Sequence, residues 1–502
     1  MFAPKTFAAT TIFGLLLAGT AHAALTADQV WARWQEAAAA AGLTLAAEGT
    51  ANEGDALTLT GVTVRPAIPA GADDPEGSIA EITMTTQSDG SVAIALAPEF
   101  TLPMVAMGGG VTVTQDGLAL TVRDEGSALS YDYTAASVKI GVTTETPMDA
   151  GDGTAQVNSS EVNVTATNPN GSYSDVMGAS RLISLALNAE TLAYSVKTSV
   201  PEATMASDQT TELADVVLTM AADIPANARL GDVDSAGEFS TLLKDGLSVN
   251  LEMAQGDSKG SDKTTSPFLN YELITTSLPG TAKLTLDQTG FGVVVTGAGG
   301  TLSGTSEMLP VPVNVGLGPV AMDFRMPMTG TEPQDFRYMV SLKDLTVNEE
   351  AWALIDPGQT LPRDPASIEI DASGKATLDL LALAEAEEAG MTDVTPPTIQ
   401  TLDIRSLALS IAGAAVTGSG AFTFDNSTPT PVPLGTADMT VTGANGLIDK
   451  LVTLGLLPDD QAQSARMMMG MFLTPGDGED VLTSKIEAKD GGSVFVNGMQ
   501  IQ

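Results

Sequence analysis

Three stretches of the 502-residue chain carry the residue types and spacing of chemistry. In the first, Arg363 stands near Asp356 and Asp364, and a guanidinium fork beside two carboxylates is a common unit for recognising a polar or anionic ligand. Pro357, Pro362 and Pro365 punctuate the same stretch, so a structural role has more support: the prolines fix an extended connection, Trp352 pins it to a core, and Arg363 neutralises a neighbouring carboxylate. In the second, Met467, Met468, Met469 and Met471 offer soft thioethers of the kind that suit Cu(I). No His or Cys stands ready to complete a shell, so adaptable apolar packing or an apolar docking surface is expected instead. The third, Asp232-Val233-Asp234-Ser235-Ala236-Gly237, begins like a calcium loop, but Ala236 replaces an oxygen ligand and Leu243 occupies the twelfth position, where Glu is needed.

The histidine count narrows the enzymology further. The single His is His22 and there is no Cys. Lys5, the apolar run Phe7 to Leu17 and the small residues around Ala21-His22-Ala23 have the layout of a secretory signal peptide, with cleavage expected between Ala23 and Ala24. The apolar run is shorter than the roughly 20 residues that span a bilayer. The product is therefore expected to be exported, periplasmic, without a membrane anchor, and free of both His and Cys. That excludes Ser-His-Asp and Cys-His catalysis and the usual zinc and thiolate sites, and no cofactor or metal is expected. A carboxylate-pair hydrolase needs only two acids, but three Trp in the whole chain leave little for a sugar platform. Ser373-Gly374-Lys375 and Ser484-Lys485 lack the setting of a Ser-Lys nucleophile.

With 62 Asp+Glu against 22 Lys+Arg, the formal charge is −40. A polyanion repels phosphate backbones and anionic membranes, so nucleic acid is not an expected partner. The charge is read as a solubility device. The apolar fraction of 43% is ample for buried cores, and a large core makes disulfides dispensable in an exported protein.

The elements that would position these residues are mostly strands. Val30, Trp31, Trp34, Ala37, Ala38 and Ala41 recur at helical spacing, and Gly42 ends that helix. From Leu57 onward the period is two, as in Leu57-Thr58-Leu59-Thr60, Val162-Asn163-Val164-Thr165 and Leu247-Ser248-Val249-Asn250-Leu251. Val111 to Thr114 and Leu118 to Val122, joined at Asp116-Gly117, read as a β-hairpin. Asp257 to Ser266, rich in Gly, Ser, Lys and Asp, reads as a mobile loop. In the C-terminal third, Asn348 is positioned to cap Glu349 to Leu354. Thr377 to Ala389 and Asp459 to Phe472 read as further helices, and Leu482 to Gly498 as a closing hairpin that turns at Asp490-Gly491-Gly492. The expected fold is mainly β: an extended curled antiparallel sheet, as groove, sandwich or barrel-like closure, with a few short helices at the N-terminus and in the C-terminal third. The expected organisation is a signal peptide at 1–23, an N-terminal helix and large β region at 24–345, and an α+β region continuing the sheet at 346–502.

Trp352-Ala353-Leu354-Ile355-Asp356-Pro357-Gly358, followed by Leu361-Pro362-Arg363-Asp364-Pro365-Ala366, resembles the signature of a bacterial family known as domain of unknown function 2125. The early Trp31/Trp34 helix and the terminal Asp490-Gly491-Gly492-Ser493-Val494 hairpin with Asn497-Gly498 are similar to the family's pattern as well, which extends the resemblance over nearly the whole mature chain. It implies an exported bacterial envelope protein and carries over no catalytic residue.

A sheet with alternating faces must cover its apolar side with a second sheet, a closure or a ligand. The expected function is accordingly a non-enzymatic envelope protein that binds a lipid or other hydrophobic ligand on a curved sheet. The alternatives are a periplasmic scaffold for an envelope protein partner and, third, a His-independent carboxylate hydrolase.

Overall fold

A computed structural model describes residues 25–502 except 41, 67–75, 105–108, 127, 150–154, 202, 227, 229–232, 234, 331, 392–395 and 429. The expected leader and its Ala23/Ala24 cleavage point lie outside the described residues, as do Asp232 and Asp234 of the calcium-like stretch. Strand accounts for 62% of the chain and helix for 14%, so the fold is mainly β with antiparallel ladders, as the period-two patterning predicts. The chain divides into two compact units, Met1–Ile274 and Thr275–Gln502. The gain in helix content near residue 345 falls inside the second.

The first unit opens with helix α1, Ala27–Ala40. Thr26 and Gln29 exchange side-chain bonds to each other's backbone N–H at 3.3 and 2.9 Å, a reciprocal cap that starts the helix after Leu25. Val30, Ala37 and Ala38 are buried where α1 lies over the strands Leu43–Glu53, Ala56–Pro66 and Gly77–Thr86. Strand Gly77–Thr86 feeds two rows of ladders. One runs through Val92–Leu96, Ala119–Asp124, Ala128–Thr134 and Asn170–Met177. The other runs through Glu99–Met104, Gly109–Asp116, Ser137–Asp149 and Ala155–Thr167. Both rows end on the 21-residue strand Ser180–Val200, the first on residues 181–188 and the second on residues 191–199. The ladders therefore close into a circuit, one of the closures that the alternating pattern left open.

That circuit explains two departures from the sequence reading. Gly109–Asp116 and Ala119–Asp124 do not pair with each other; they belong to different rows. At their junction the Leu118 N–H donates to the Gln115 side chain at 2.8 Å and the Asp116 carbonyl accepts from Ala136 at 2.9 Å, so the backbone bonds that would close a hairpin are taken elsewhere, while Gly117 supplies φ +65°. Asp257 to Ser266 is no loop, because Ser258–Thr265 is a strand on residues 206–213 of the long strand Met205–Pro225. Its polar residues alternate on a ladder, and composition alone did not separate that from a turn.

Ser180–Val200 and Met205–Pro225 pair along their lengths and bend midway, where Asp215 has φ +49°. Small Ala166 and Ala189 pack with Val216, Leu192 and Leu213 at the bend. Helix α2, Ala236–Lys244, was not foreseen; a Ser235/Glu238 capping box starts it and Leu243 is buried beneath it.

In the second unit an antiparallel succession runs Gly280–Asp287, Gly290–Gly297, Val320–Met326, Gln334–Val347, Ala366–Thr377, Thr398–Ile411, Ala414–Asp425, Val432–Thr442, Val481–Lys489 and Ser493–Val496. The last pair is the closing turn expected at Asp490-Gly491-Gly492. Four helices interrupt it: α3, Glu349–Trp352; α4, Leu380–Glu388; α5, Ala444–Thr453; and α6, Asp459–Phe472, the range that the sequence predicts. Asn348 sits at the α3 N-cap but its side chain makes no cap bond. It accepts from Asn314 N–H and donates to the Pro312 carbonyl and to Glu350, tying the turn to the neighbouring strand instead. For α5 the missing local cap comes from a distant residue: Asp480 accepts from the N–H groups of Asn445 and Gly446 at 3.2 and 2.9 Å.

Candidate functional site

The Trp352 to Pro365 stretch folds as a closed knot. Asp356 is fully buried, and its carboxylate accepts from Thr360 N–H at 2.9 Å, Leu361 N–H at 2.8 Å and Arg363 Nη1 at 2.8 Å. Arg363 also donates to the carbonyls of Leu361 and Asp356 at 3.0 Å each and to Glu349 at 3.2 Å, and its guanidinium lies 4.5 Å over the Trp352 ring. Burial pushes the Asp356 carboxyl up, but the Thr360, Arg363 and Leu361 donors outweigh it and hold the group down at about 2. The structure thus brings together Trp352, Asp356, Leu361 and Arg363, with Pro362 beside Gly413, and leaves Asp364, Pro357 and Pro365 exposed. Every donor and acceptor at the centre is satisfied from within, which supports a positioning role for the stretch. Trp352 is half-buried and α3 contributes no buried residue, so the expectation that this ring is a core anchor is corrected: it is the lid of the Arg363 guanidinium.

A second polar knot, which sequence reasoning missed, lies in the first unit. Arg181 grips the buried Asp175, with Nε at 3.0 and 3.1 Å from the two oxygens and Nη2 at 2.6 Å. Tyr173 donates to the same carboxylate at 3.4 Å and packs against Tyr131, ring centroids 5.8 Å apart. From α1, Arg33 pairs with Asp124 at 2.8 Å and Trp34 lies beside the buried Tyr131 hydroxyl. Burial first, then the Asp175 charge, pushes the Tyr173 phenol far above its usual range. The available signal was two of the chain's six Tyr at matching places in alternating strands, which becomes informative only once the two strands are known to share the partner pair Tyr131 and Tyr173.

The thioether cluster is on the surface. Met467, Met468 and Met471 are 64%, 58% and 57% exposed, while α6 buries Ala462 on its other side, so core packing is excluded for these three. Among the described residues no group of three or more His, Cys, Asp or Glu is placed to hold a metal ion, and no helix is long and apolar enough to cross a membrane.

The largest feature is a surface. In the second unit the register places Ala282, Val295, Met322, Val340, Ile370, Leu407, Gly418 and Met439 opposite one another across eight strands, about 34 Å at ~4.8 Å per strand. The flanking row is Val320, Leu342, Ile368, Leu409, Val416, Val441 and Leu482. A bulge between Ile404 and Leu407 shifts the parity of the strand and keeps its apolar residues on that face. The rows are incompletely covered: Met322, Leu407 and Leu409 are 37%, 36% and 40% exposed, and Tyr338 on the same face 45%. An exposed apolar patch of this extent marks an interaction surface more often than an accident of packing.

Fold and surface together define a mainly-β protein with a broad apolar sheet face, stabilised by buried arginine–carboxylate knots. A model of the bacterial family described as "Uncharacterized protein conserved in bacteria (DUF2125)" matches residues 264–501, which takes in nearly all of the second unit. The match contains the Trp352 to Ala366 stretch and the terminal hairpin, while the Trp31/Trp34 helix lies outside it. No curated protein and no solved structure matches the chain.

Proposed function

We propose that the protein is a non-enzymatic, exported envelope protein that binds a lipid or other hydrophobic ligand on the apolar face of its second unit. The observation that carries this reading is the exposure of Met322, Tyr338, Leu407 and Leu409 on one continuous face. Covering apolar area is favourable by roughly 25 cal/mol per Å², so an acyl chain laid along these rows would be bound without a catalytic group. Export rests on the signal-like sequence of residues 1–23. The test is uptake of a fluorescent fatty acid and a fluorescent phospholipid by delipidated protein, with native mass spectrometry of the protein as purified. Saturable uptake that weakens in Leu409→Asp supports the reading. No uptake and no co-purified lipid overturns it.

A periplasmic scaffold is the second reading, and the exposed Met467, Met468 and Met471 favour it. Cross-linking in cells from two positions separates the readings: a scaffold captures protein from α6, and a carrier captures lipid from Leu409 on the sheet face.

A further inference from the structure

The opposite, polar face of the same sheet carries a feature that runs against the charge of the chain. With 62 acids to 22 bases, an arginine on almost any surface has carboxylates within reach. Arg325 and Arg405 nevertheless are exposed and, among the described residues, make no ion pair or hydrogen bond. Arg325 stands directly across the ladder from Arg337, and like charges opposed in this way destabilise a strand pair. Arg337 is neutralised by Asp323 at 2.7 Å and Asp371 at 3.2 Å; Arg325 has no such relief. Arg405 sits in a bulge. Ladder partners step from Asp371–Ser406 to Ala372–Ile404, leaving Arg405 without a partner on that side, and the opposite ladder skips from Ile404 to Leu407. A bulge re-aims a side chain, and such irregularities gather beside functional sites.

Both arginines open into one cleft of about 710 Å³, the size of a small-molecule site. Four cations line it, Arg325, Arg337, Lys375 and Arg405, against two carboxylates, Asp335 and Asp403. Lys375 holds Asp335 at 2.8 Å, and the Ser373 hydroxyl adds a neutral donor on the same face.

We infer that this cleft binds a phosphate-bearing small molecule, its anionic group held between the Arg325 and Arg405 guanidinium forks, with Arg337 and Ser373 in support. Guanidinium is the side chain best matched to phosphoryl oxygens, because its planar fork donates two parallel hydrogen bonds. Bound phosphate would also relieve the repulsion between Arg325 and Arg337. The cleft lies on the other face from the apolar rows, so the inference stands or falls apart from the hydrophobic-ligand reading. The phosphate could belong to a free solute or to a phospholipid headgroup; the chemistry at the arginines is the same.

The experiment is calorimetric titration of the full chain with inorganic phosphate and pyrophosphate, and flotation with phosphatidylglycerol vesicles against phosphatidylcholine vesicles. Arg325→Gln and Arg405→Gln are compared with Arg466→Gln, which removes a helix-surface pair with Asp449 well away from the cleft residues in sequence. Saturable binding of a phosphate probe should weaken about tenfold or more in each cleft variant and stay unchanged in Arg466→Gln, as expected for losing a hydrogen bond to a charged group. Binding of free phosphate or pyrophosphate identifies a solute site. Flotation with phosphatidylglycerol alone identifies a headgroup site. Melting temperature supplies an independent readout: Arg325→Gln, which removes the opposed charge, should melt no lower than the parent without ligand. Absence of binding by every probe, or equal binding by parent and both cleft variants, overturns the inference.

Discussion

The two units are made from the same kind of strand, yet they treat their apolar faces differently. In the first, α1 lies on the sheet and the ladders close on themselves, so Leu57, Leu59, Val62, Ile82 and Met84 are at most 1% exposed. All the largest fully buried side chains among the described residues belong to this unit. In the second, rows of equally apolar residues cross a comparable number of strands and stay partly open. Alternation creates an apolar face; whether that face becomes a core or a surface depends on what the chain can place over it. The first unit uses α1 and the bent strand pair. The helices of the second unit bury little: Leu381 and Ala386 in α4, Ile448 in α5 and Ala462 in α6.

The sharpest way to break this comparison is to truncate one leucine in each unit. Leu59→Ala opens a cavity in a closed core and should cost about 2–5 kcal/mol, whereas Leu409→Ala, already 40% exposed, should cost less than about 1 kcal/mol. Tryptophan fluorescence separates the units, with Trp31 and Trp34 reporting the first and Trp352 the second. Equal costs for the two substitutions would mean that the open face is a core after all.

The units should also fail at opposite ends of the pH scale. In the first, burial raises the phenols of Tyr131 and Tyr173 and pushes Tyr133 up to about 12. Folded values above the ordinary 10 mean that their contribution is complete below pH 10 and is lost as pH rises beyond it. In the second, Asp356 is held down at about 2, so its contribution is complete above the ordinary value near 4 and is lost as pH falls towards 2. Denaturant unfolding across pH should therefore show the first unit weakening in alkali and the second in acid. Asp356→Asn should flatten the acid dependence of the Trp352 signal between pH 4 and 2 while leaving the alkaline edge of the Trp31/Trp34 signal unchanged.

How much of this was legible in advance follows from what each signal depends on. The first helix, α6 and the closing hairpin rest on local rules of spacing, charge at a helix N-terminus and turn glycines, and they were readable residue by residue. The pairing of Gly109–Asp116 was not, because an Asp-Gly turn specifies a bend and not the partner strand; the Ala136 N–H that takes the Asp116 carbonyl comes from another strand end. The strand Ser258–Thr265 has the composition of a loop, because the ladder that makes it a strand is supplied by its partner, residues 206–213. At the Trp352 to Pro365 stretch the participants were legible but the geometry was not: that Asp356 sits at the centre, and Asp364 outside it, is decided by which carboxylate can reach two backbone N–H groups at once. Arg405 was invisible for the same reason, since a bulge is a property of two ladders together.

Trp352 gives the smallest and most discriminating test. Were the ring a core anchor, Trp352→Ala would cost several kcal/mol, as a large-to-small change in a sealed interior does. As a half-buried lid 4.5 Å from the Arg363 guanidinium, it contributes a partly exposed cation–π contact, about 1 kcal/mol. The Asp356–Arg363 pair keeps its own hydrogen bonds in that variant, so the acid edge of the second unit should survive with its midpoint unmoved. Chemical unfolding of Trp352→Ala and Trp352→Phe, followed by circular dichroism, separates the cases. A loss near 1 kcal/mol in Ala, largely restored by Phe, fits the lid. A loss as large as that of Leu59→Ala would place a sealed core beneath α3 and dissolve the contrast between the two units at that point.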